Sequence, residues 1–370
     1  MKFTLSKDKL AHSLNLVTRA VGLKPSLPVL NNLLLDLTDG QLKLAATNLE
    51  TSILTFLPVK EGENGAITVP ARLLHEFVTS LPTATVSFVT KEESLVVKGG
   101  DFEATFAGIA ASEFPSIPQP LKTEQVLLDK SFAPALIQTS FAASSDPSRP
   151  LLTGLLMEFA VNQLSLVATD GYRLAKKSLA IDSSLKTTLL IPARALNEVA
   201  RLISEVDDDT EISMRPLPET NQAIFTIGPT QITTRLLDGT FPPYQAIIPE
   251  TFKTRGVFPT EEVTQAVRAT SLFARDLGNV VHLHLDPEKK EIDFSANTAQ
   301  VGAGKTKVAG SIEGEKTTLA LNSHYLSAGL SNLGASQISL ETNDSTKPVL
   351  LRPVGDETFI YIIMPVRPQG

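Results

Sequence analysis

An α+β fold built from three consecutive copies of one unit, each an antiparallel sheet layer with two helices, is the architecture this sequence predicts. Three observations carry it. Short runs of alternating apolar and polar residues, closed by Asp-Gly or Asn-containing turns, recur along the whole chain, as in half-buried strands. Six stretches with apolar residues at helical spacing interrupt those runs. Two of these helices start on nearly the same words, Val69-Pro70-Ala71-Arg72-Leu73-Leu74-His75-Glu76-Phe77 and Ile191-Pro192-Ala193-Arg194-Ala195-Leu196-Asn197-Glu198-Val199, with their prolines 122 residues apart. A period that long indicates duplicated domains, because solenoid repeats run to roughly 20–50 residues.

In chain order, a first helix is expected over 7–21, with Leu10, Leu14, Val17 and Val21 on one stripe and Ser6 as N-cap. Pro25 and Pro28 close it. A strand is expected over 29–37, then a turn at Asp39-Gly40, a hairpin over 41–53, a helix over 71–81 and strands near 84–89, 94–98 and 102–109. Phe114-Pro115-Ser116-Ile117-Pro118 forms a stiff connector. The second unit repeats the order: a helix over 129–143, a Pro150-led strand ending at Phe159, the hairpin around Ala168-Thr169-Asp170-Gly171-Tyr172-Arg173-Leu174-Ala175, a helix over 193–204, and a second connector at Phe241-Pro242-Pro243-Tyr244. The third unit matches in pattern more than in letters. Its helices are expected over 260–274, with Glu261 and Glu262 in the first turn, and over 322–333. Its strands include 280–285 and 292–296. Domain limits of 1–122, 123–249 and 250–370 follow.

Composition removes several function classes. The 370 residues hold 42% hydrophobic and 20% charged side chains, as in an ordinary globular chain. No apolar run reaches the roughly 18–20 residues of a membrane span, and Met1-Lys2-Phe3-Thr4 opens directly into alternation. Neither a membrane segment nor a signal peptide is therefore expected, and the chain reads as cytoplasmic. With no cysteine, disulfides and thiolate chemistry are excluded. A net charge of -7 argues against gripping nucleic acid by bulk attraction.

The motifs that suggest an enzyme do not hold. Gly302-Ala303-Gly304-Lys305-Thr306 looks like a phosphate loop, but such a loop needs glycine where this chain has Ala299, and the stretch continues by alternation into Val308. It reads as part of a hairpin. His282 and His284 share one face of a strand without a third ligand nearby, so no metal is expected. No Gly-x-Ser-x-Gly elbow supports a hydrolase. No cofactor and no catalytic residue are expected. The six predicted helices carry eight bases against six acids, a mildly positive set in an acidic chain. Ordinary charged helix faces would look the same; read functionally, the set suits weak, sequence-blind attraction to DNA. At the end, Phe359-Ile360-Tyr361-Ile362-Ile363-Met364-Pro365-Val366-Arg367 is either an edge strand or one wall of an adaptable, Met-containing peptide groove.

Taken together, the opening Met1-Lys2-Phe3, Leu27-Pro28-Val29-Leu30-Asn31-Asn32-Leu33, the Ala168–Ala175 hairpin, Phe241-Pro242-Pro243-Tyr244 and Met364-Pro365-Val366-Arg367 resemble the bacterial DNA polymerase III β subunits, the sliding clamps, over essentially the whole chain. The resemblance implies three tandem DNA-clamp domains forming half of a closed ring. The ring would be a head-to-tail homodimer around double-stranded DNA, a non-catalytic processivity factor. It implies a pocket between domains 2 and 3 for the replicative polymerase, the clamp loader and other proteins with clamp-binding motifs. By position, that pocket is lined by Leu152, Thr169, Gly171, Tyr172, Arg173, Leu174, Pro242, Ile247, Ile362, Met364, Pro365, Val366 and Arg367. The implied DNA-facing residues are Lys24, Arg72, Arg149, Arg194, Arg201 and Arg268. The implied dimer contacts are Phe106 of one chain against Leu272 and Phe273 of the other. Tyr172 stands where a histidine is common in the family, and Ala246 where some members have arginine.

Overall fold

The computed structural model describes residues 1–22, 27–118, 124–275, 278–298 and 302–367. Among the described residues six α-helices form where the apolar stripes lie: α1 (Lys7–Thr18), α2 (Ala71–Ser80), α3 (Phe132–Ser140), α4 (Ala193–Glu205), α5 (Thr260–Ser271) and α6 (Ser323–Asn332). In α1 the stripe Leu10, Leu14 and Val17 is wholly buried, each side chain contributing about 1.5–3 kcal/mol. Ser6 precedes this helix, but its hydroxyl makes no capping bond. Asn322 does cap α6: its side-chain oxygen accepts from the backbone N–H of His324 and Tyr325.

All strand pairs between the named strands are antiparallel, and the chain divides into two compact units, residues 1–130 with 201–236 and residues 131–200 with 237–370. The first unit holds two sheets. One runs Gly62–Glu63, Lys2–Ser6, Thr85–Lys91, Ser94–Gly99, Phe102–Ala107. The other, of eight strands, has the hairpin Gln41–Thr47/Thr51–Pro58 at its centre, and Thr51–Pro58 pairs with Thr230–Arg235 with Ile53 opposite Ile232. The second unit repeats this device in a nine-stranded sheet. There the hairpin Gln163–Thr169/Arg173–Ala180 pairs with Phe359–Ile363, Leu174 opposite Ile362. Its other sheet runs Gly302–Ala309, Glu291–Thr298, Val280–Asp286, Thr317–Asn322.

Two segments differ from the expected strands for the same reason. Pro28–Asn31 and Pro150–Thr153 are 3₁₀ turns, and the strands start only at Asn32 and Gly154. Proline fixes φ and offers no N–H for the ladder, so it opens a tight turn more readily than a strand interior. Gly302-Ala303-Gly304-Lys305-Thr306 lies within a strand, as its alternation indicates. There Gly304 lets the Phe273 ring press against the backbone, since a Cβ would come within 2.4 Å of it. No described helix is long and apolar enough to cross a membrane.

Candidate partner-binding groove

The hairpin return at Thr169–Arg173 is built by its own side chains. Asp170 accepts from the backbone N–H of Tyr172 and Arg173 through Oδ1 at 2.9 and 3.0 Å, and from Arg173 Nε through Oδ2 at 2.9 Å. Gly171 takes φ +92°, which costs a glycine nothing, and donates its N–H to Thr169 Oγ1 at 3.0 Å. Thr169 in turn donates to the Arg173 carbonyl. One carboxylate thus closes the turn and aims a guanidinium.

The first-unit hairpin uses the same bonds without the same product. Asn48 Oδ1 accepts from Glu50 and Thr51 N–H, and Thr47 Oγ1 accepts from Leu49 N–H. Leu49, in the glycine slot, is held at φ +74°, a conformation costing an L-residue about 1–2 kcal/mol. Thr51 replaces Arg173, so no guanidinium is seated. The strand-end N–H that meets Glu50 O belongs to Arg235, whereas the equivalent donor to Tyr172 O, at 2.8 Å, is Met364.

Around Arg173 the second unit gathers aromatic rings from distant parts of the chain. The guanidinium lies 4.9 Å from the Tyr325 ring centroid and 5.6 Å from that of Phe141, placements that favour a cation over an aromatic face. Tyr172 and Tyr325 stack at 6.4 Å, and Tyr361 donates its hydroxyl to the Tyr325 carbonyl. Burial raises the pKa of Tyr361 and Tyr325 above the ordinary phenol value. Tyr244 is raised too, by burial first and then by its hydrogen bond to Glu158. These phenols stay neutral at any physiological pH. Beneath them lies an apolar floor of Leu156, Val167, Leu174, Leu190, Phe241 and Ile362, with Leu151, Leu237 and Ile248 packed on it.

Of the residues the resemblance assigns to the pocket, Thr169, Gly171, Tyr172, Arg173 and Leu174 come from one hairpin, and Ile362 and Met364 are hydrogen-bonded beside them. Leu174 and Ile362 are fully buried and act as floor, whereas Tyr172 is 55% and Ile247 37% exposed. Leu152 is half-buried, Pro242 exposed, and Met364, Pro365 and Val366 half-buried, with Val366 N–H donating to Ala320 O and Arg367 exposed. The seated Arg173 guanidinium, the exposed Tyr172 and the half-buried Met364, Pro365 and Val366 thus belong to the same unit as a buried apolar cluster that includes Leu174 and Ile362. Tyr325, Phe141 and Leu237 were not among the expected residues. They reach the site through tertiary packing and carry no local signal.

The expected DNA-facing residues are distributed differently. Arg72, Arg194 and Arg268 are exposed on α2, α4 and α5, while Arg201 is ion-paired with Glu205 at 3.4 Å. Arg149 is exposed, and its guanidinium lies 3.8 Å from where a Gly171 Cβ would stand, beside the groove's turn. Lys24 lies outside the described residues. Of the expected dimer contacts, Leu272 is 53% exposed and Phe273 half-buried under Gly304. Phe106 is only 4% exposed and edge-on to Phe77, while Phe102, at the start of the same strand, is 52% exposed.

The three domain profiles of the DNA polymerase III beta subunit match this chain end to end: the N-terminal domain over residues 1–118, the central domain over 126–243 and the C-terminal domain over 245–367. The chain belongs to the DNA polymerase III beta-subunit family, the sliding clamps. It is 32% identical to the beta sliding clamp of Synechococcus elongatus over 377 residues, covering 99% of both chains. It is also 32% identical to that of Bacillus subtilis, covering 99% of this chain and 100% of the relative. Among solved structures, a Bacillus subtilis DNA polymerase sliding clamp superposes with TM-score 0.94 at 28% identity, covering 99% of each chain. The Pseudomonas aeruginosa DNA polymerase III subunit beta gives 0.93 at 28%, covering 99% of this chain and 100% of that one. The triplicated α+β pattern is therefore three sliding-clamp domains of mostly antiparallel sheet with six helices.

Proposed function

We propose that this sliding clamp works as a head-to-tail homodimeric ring that encloses double-stranded DNA without reading sequence and tethers its partners through the Tyr172–Met364 groove. The domains would run over 1–122, 123–249 and 250–370. The observation that carries the ring is the repeated junction. Twice within the chain, the return strand of one domain's hairpin pairs antiparallel with the last strand of the next: Thr51–Pro58 with Thr230–Arg235, and Arg173–Ala180 with Phe359–Ile363. By the same rule the third domain's return strand, Gly302–Ala309, seeks the last strand of a first domain, Phe102–Ala107. Among the described residues each of these two strands ends its sheet. Pairing them between two chains is a heterologous contact that closes after two copies and removes both open edges. It would bring Leu272 and Phe273 of one chain beside the Phe102–Phe106 strand of its partner, and set Lys305 and Lys307 opposite a strand bearing Glu103.

Enclosure makes tight DNA binding unnecessary. Helix arginines Arg72, Arg194 and Arg268 in a chain of net charge -7 would steer the duplex weakly, and Arg149 and Lys24 would add to this. The partners would be the replicative polymerase, the clamp loader and other proteins carrying clamp-binding motifs, all in the cytoplasm, and the clamp itself would catalyse nothing. The competing reading, a nucleotide hydrolase using Lys305, is disfavoured by the strand geometry, in which Lys305 sits 3.5 Å from Asp293 with no phosphate-cradling helix after it. Primer extension with loader and polymerase tests the proposal. Adding the protein should lengthen products from tens to thousands of nucleotides, on the order of a hundredfold per binding event, and Lys305→Ala should do so equally well. Product lengths unchanged by the protein would refute the proposal, and ATP hydrolysis by the purified protein that Lys305→Ala abolishes would favour the hydrolase.

A further inference from the structure

A cleft of about 440 Å³ in the second unit lies on the three strands Thr254–Pro259, Gln337–Thr342 and Val349–Pro353. Arg255 stands opposite Glu341, and Arg352 opposite Ser339 two residues away, so all four side chains project from one face of the sheet. Glu341 is 8% exposed, with each carboxylate oxygen 3.5 Å from one arginine Nε and Oε1 also accepting from Ser339 Oγ at 3.3 Å. Charge-assisted hydrogen bonds are normally about 2.7–2.9 Å, so both contacts are long. The two Nε atoms are buried without a hydrogen-bond partner. Among the described residues, Arg255 also lies 5.9 Å from the Phe252 ring centroid. A carboxylate shared this loosely leaves both guanidiniums under-satisfied, and both arginines line the cleft.

The walls narrow the choice of ligand. Phe252 and Val354 are 45% and 44% exposed beside the arginines, offering apolar cover. Glu250 and Glu357, both exposed, stand at the rim. Asp356 is already paired with Lys177 at 2.7 Å. A polyanion such as a nucleotide or DNA backbone would meet the rim carboxylates with like charge. A single carboxylate with an apolar neighbour on one side and a cation on the other matches every wall.

We propose that this cleft is a second docking site of the clamp, separate from the Tyr172 groove, which takes an extended partner segment carrying an acidic side chain between an apolar and a basic residue. The carboxylate enters between Arg255 and Arg352, the apolar side chain covers Phe252 and Val354, and the basic one meets Glu250 or Glu357. The site stands on its own geometry and does not depend on ring closure.

The test titrates an acetylated, amidated leucine–glutamate–lysine tripeptide into the full-length protein carrying ¹⁵N-labelled arginine. The expected result is a saturable shift of two arginine Nε resonances, assigned by Arg255→Gln and Arg352→Gln, each of which weakens binding about tenfold or more. Should either arginine variant unfold, Glu341→Gln decides alone: it keeps both arginines, frees their charge, and should tighten binding several-fold. Leucine–glutamine–lysine, inorganic phosphate and a short duplex should leave these resonances unmoved. No shift up to about 10 mM tripeptide, where even a 1 mM site saturates, would overturn the proposal. So would equal binding of the glutamine peptide, or binding indifferent to Glu341→Gln.

Discussion

Truncation after Ile363, which removes Met364 to Arg367 and the residues beyond, is expected to abolish binding of a peptide carrying a clamp-binding motif while leaving the proposed dimer intact. Met364 and Val366 are held by backbone bonds to Tyr172 O and Ala320 O, and their half-buried side chains with Pro365 would form one flank of the proposed groove. Methionine is suited to such a flank because its unbranched chain repacks around different side chains. Each apolar side chain a ligand would cover there is worth about 1.5–3 kcal/mol, so losing the flank should cost a hundredfold or more in affinity. The floor of Leu174, Ile362 and Phe241 remains packed, and the truncated protein should stay folded. Fluorescence polarisation with a labelled peptide measures the effect, and retained micromolar affinity would show that the groove lies elsewhere.

Changing Leu272 and Phe273 together to aspartate is expected to turn the proposed dimer into monomers. Leu272 follows α5 with half its surface bare, and Phe273 is wedged beside the open edge strand at Gly304. Burying two unpaired carboxylates against an apolar strand costs several kcal/mol each, more than a thousandfold in dimer dissociation. Light scattering at micromolar concentration should then report a single chain of 39.8 kDa where the unaltered protein gives twice that mass. An unchanged mass would place the junction at other residues. Within its own domain Phe273 packs only partly, so melting temperature, read in parallel, separates dissociation from unfolding.

Much of the architecture was legible in the letters because apolar periodicity is a local property. Leu10, Leu14 and Val17 announce α1, and the paired Pro-Ala-Arg openings announce α2 and α4. The Thr169–Arg173 turn was legible as well, since Asp-Gly states its φ requirement directly. Ser6 and the prolines at 28 and 150 were misleading, for a hydroxyl before a helix need not bond to it and a proline inside an apolar run still bars the ladder. The groove was half legible. Its hairpin and tail are contiguous motifs, but Tyr325 and Phe141, which hold the Arg173 guanidinium, meet it across more than a hundred residues of chain or from another element, with no shared period to betray them. Phe106, named as a dimer contact by the resemblance alone, packs edge-on to Phe77 within its own chain, which no local pattern foretells. Which face an aromatic takes depends on its neighbours in space.

Retention on circular DNA tests closure of the proposed ring most directly. Loaded onto a nicked plasmid by a clamp loader, the protein should stay with the circle through gel filtration at high salt and leave it once a restriction enzyme makes one cut. Protein that dissociates from the intact circle in salt, or remains bound after linearisation, would show that it clasps DNA by contact, and the closed ring would be wrong.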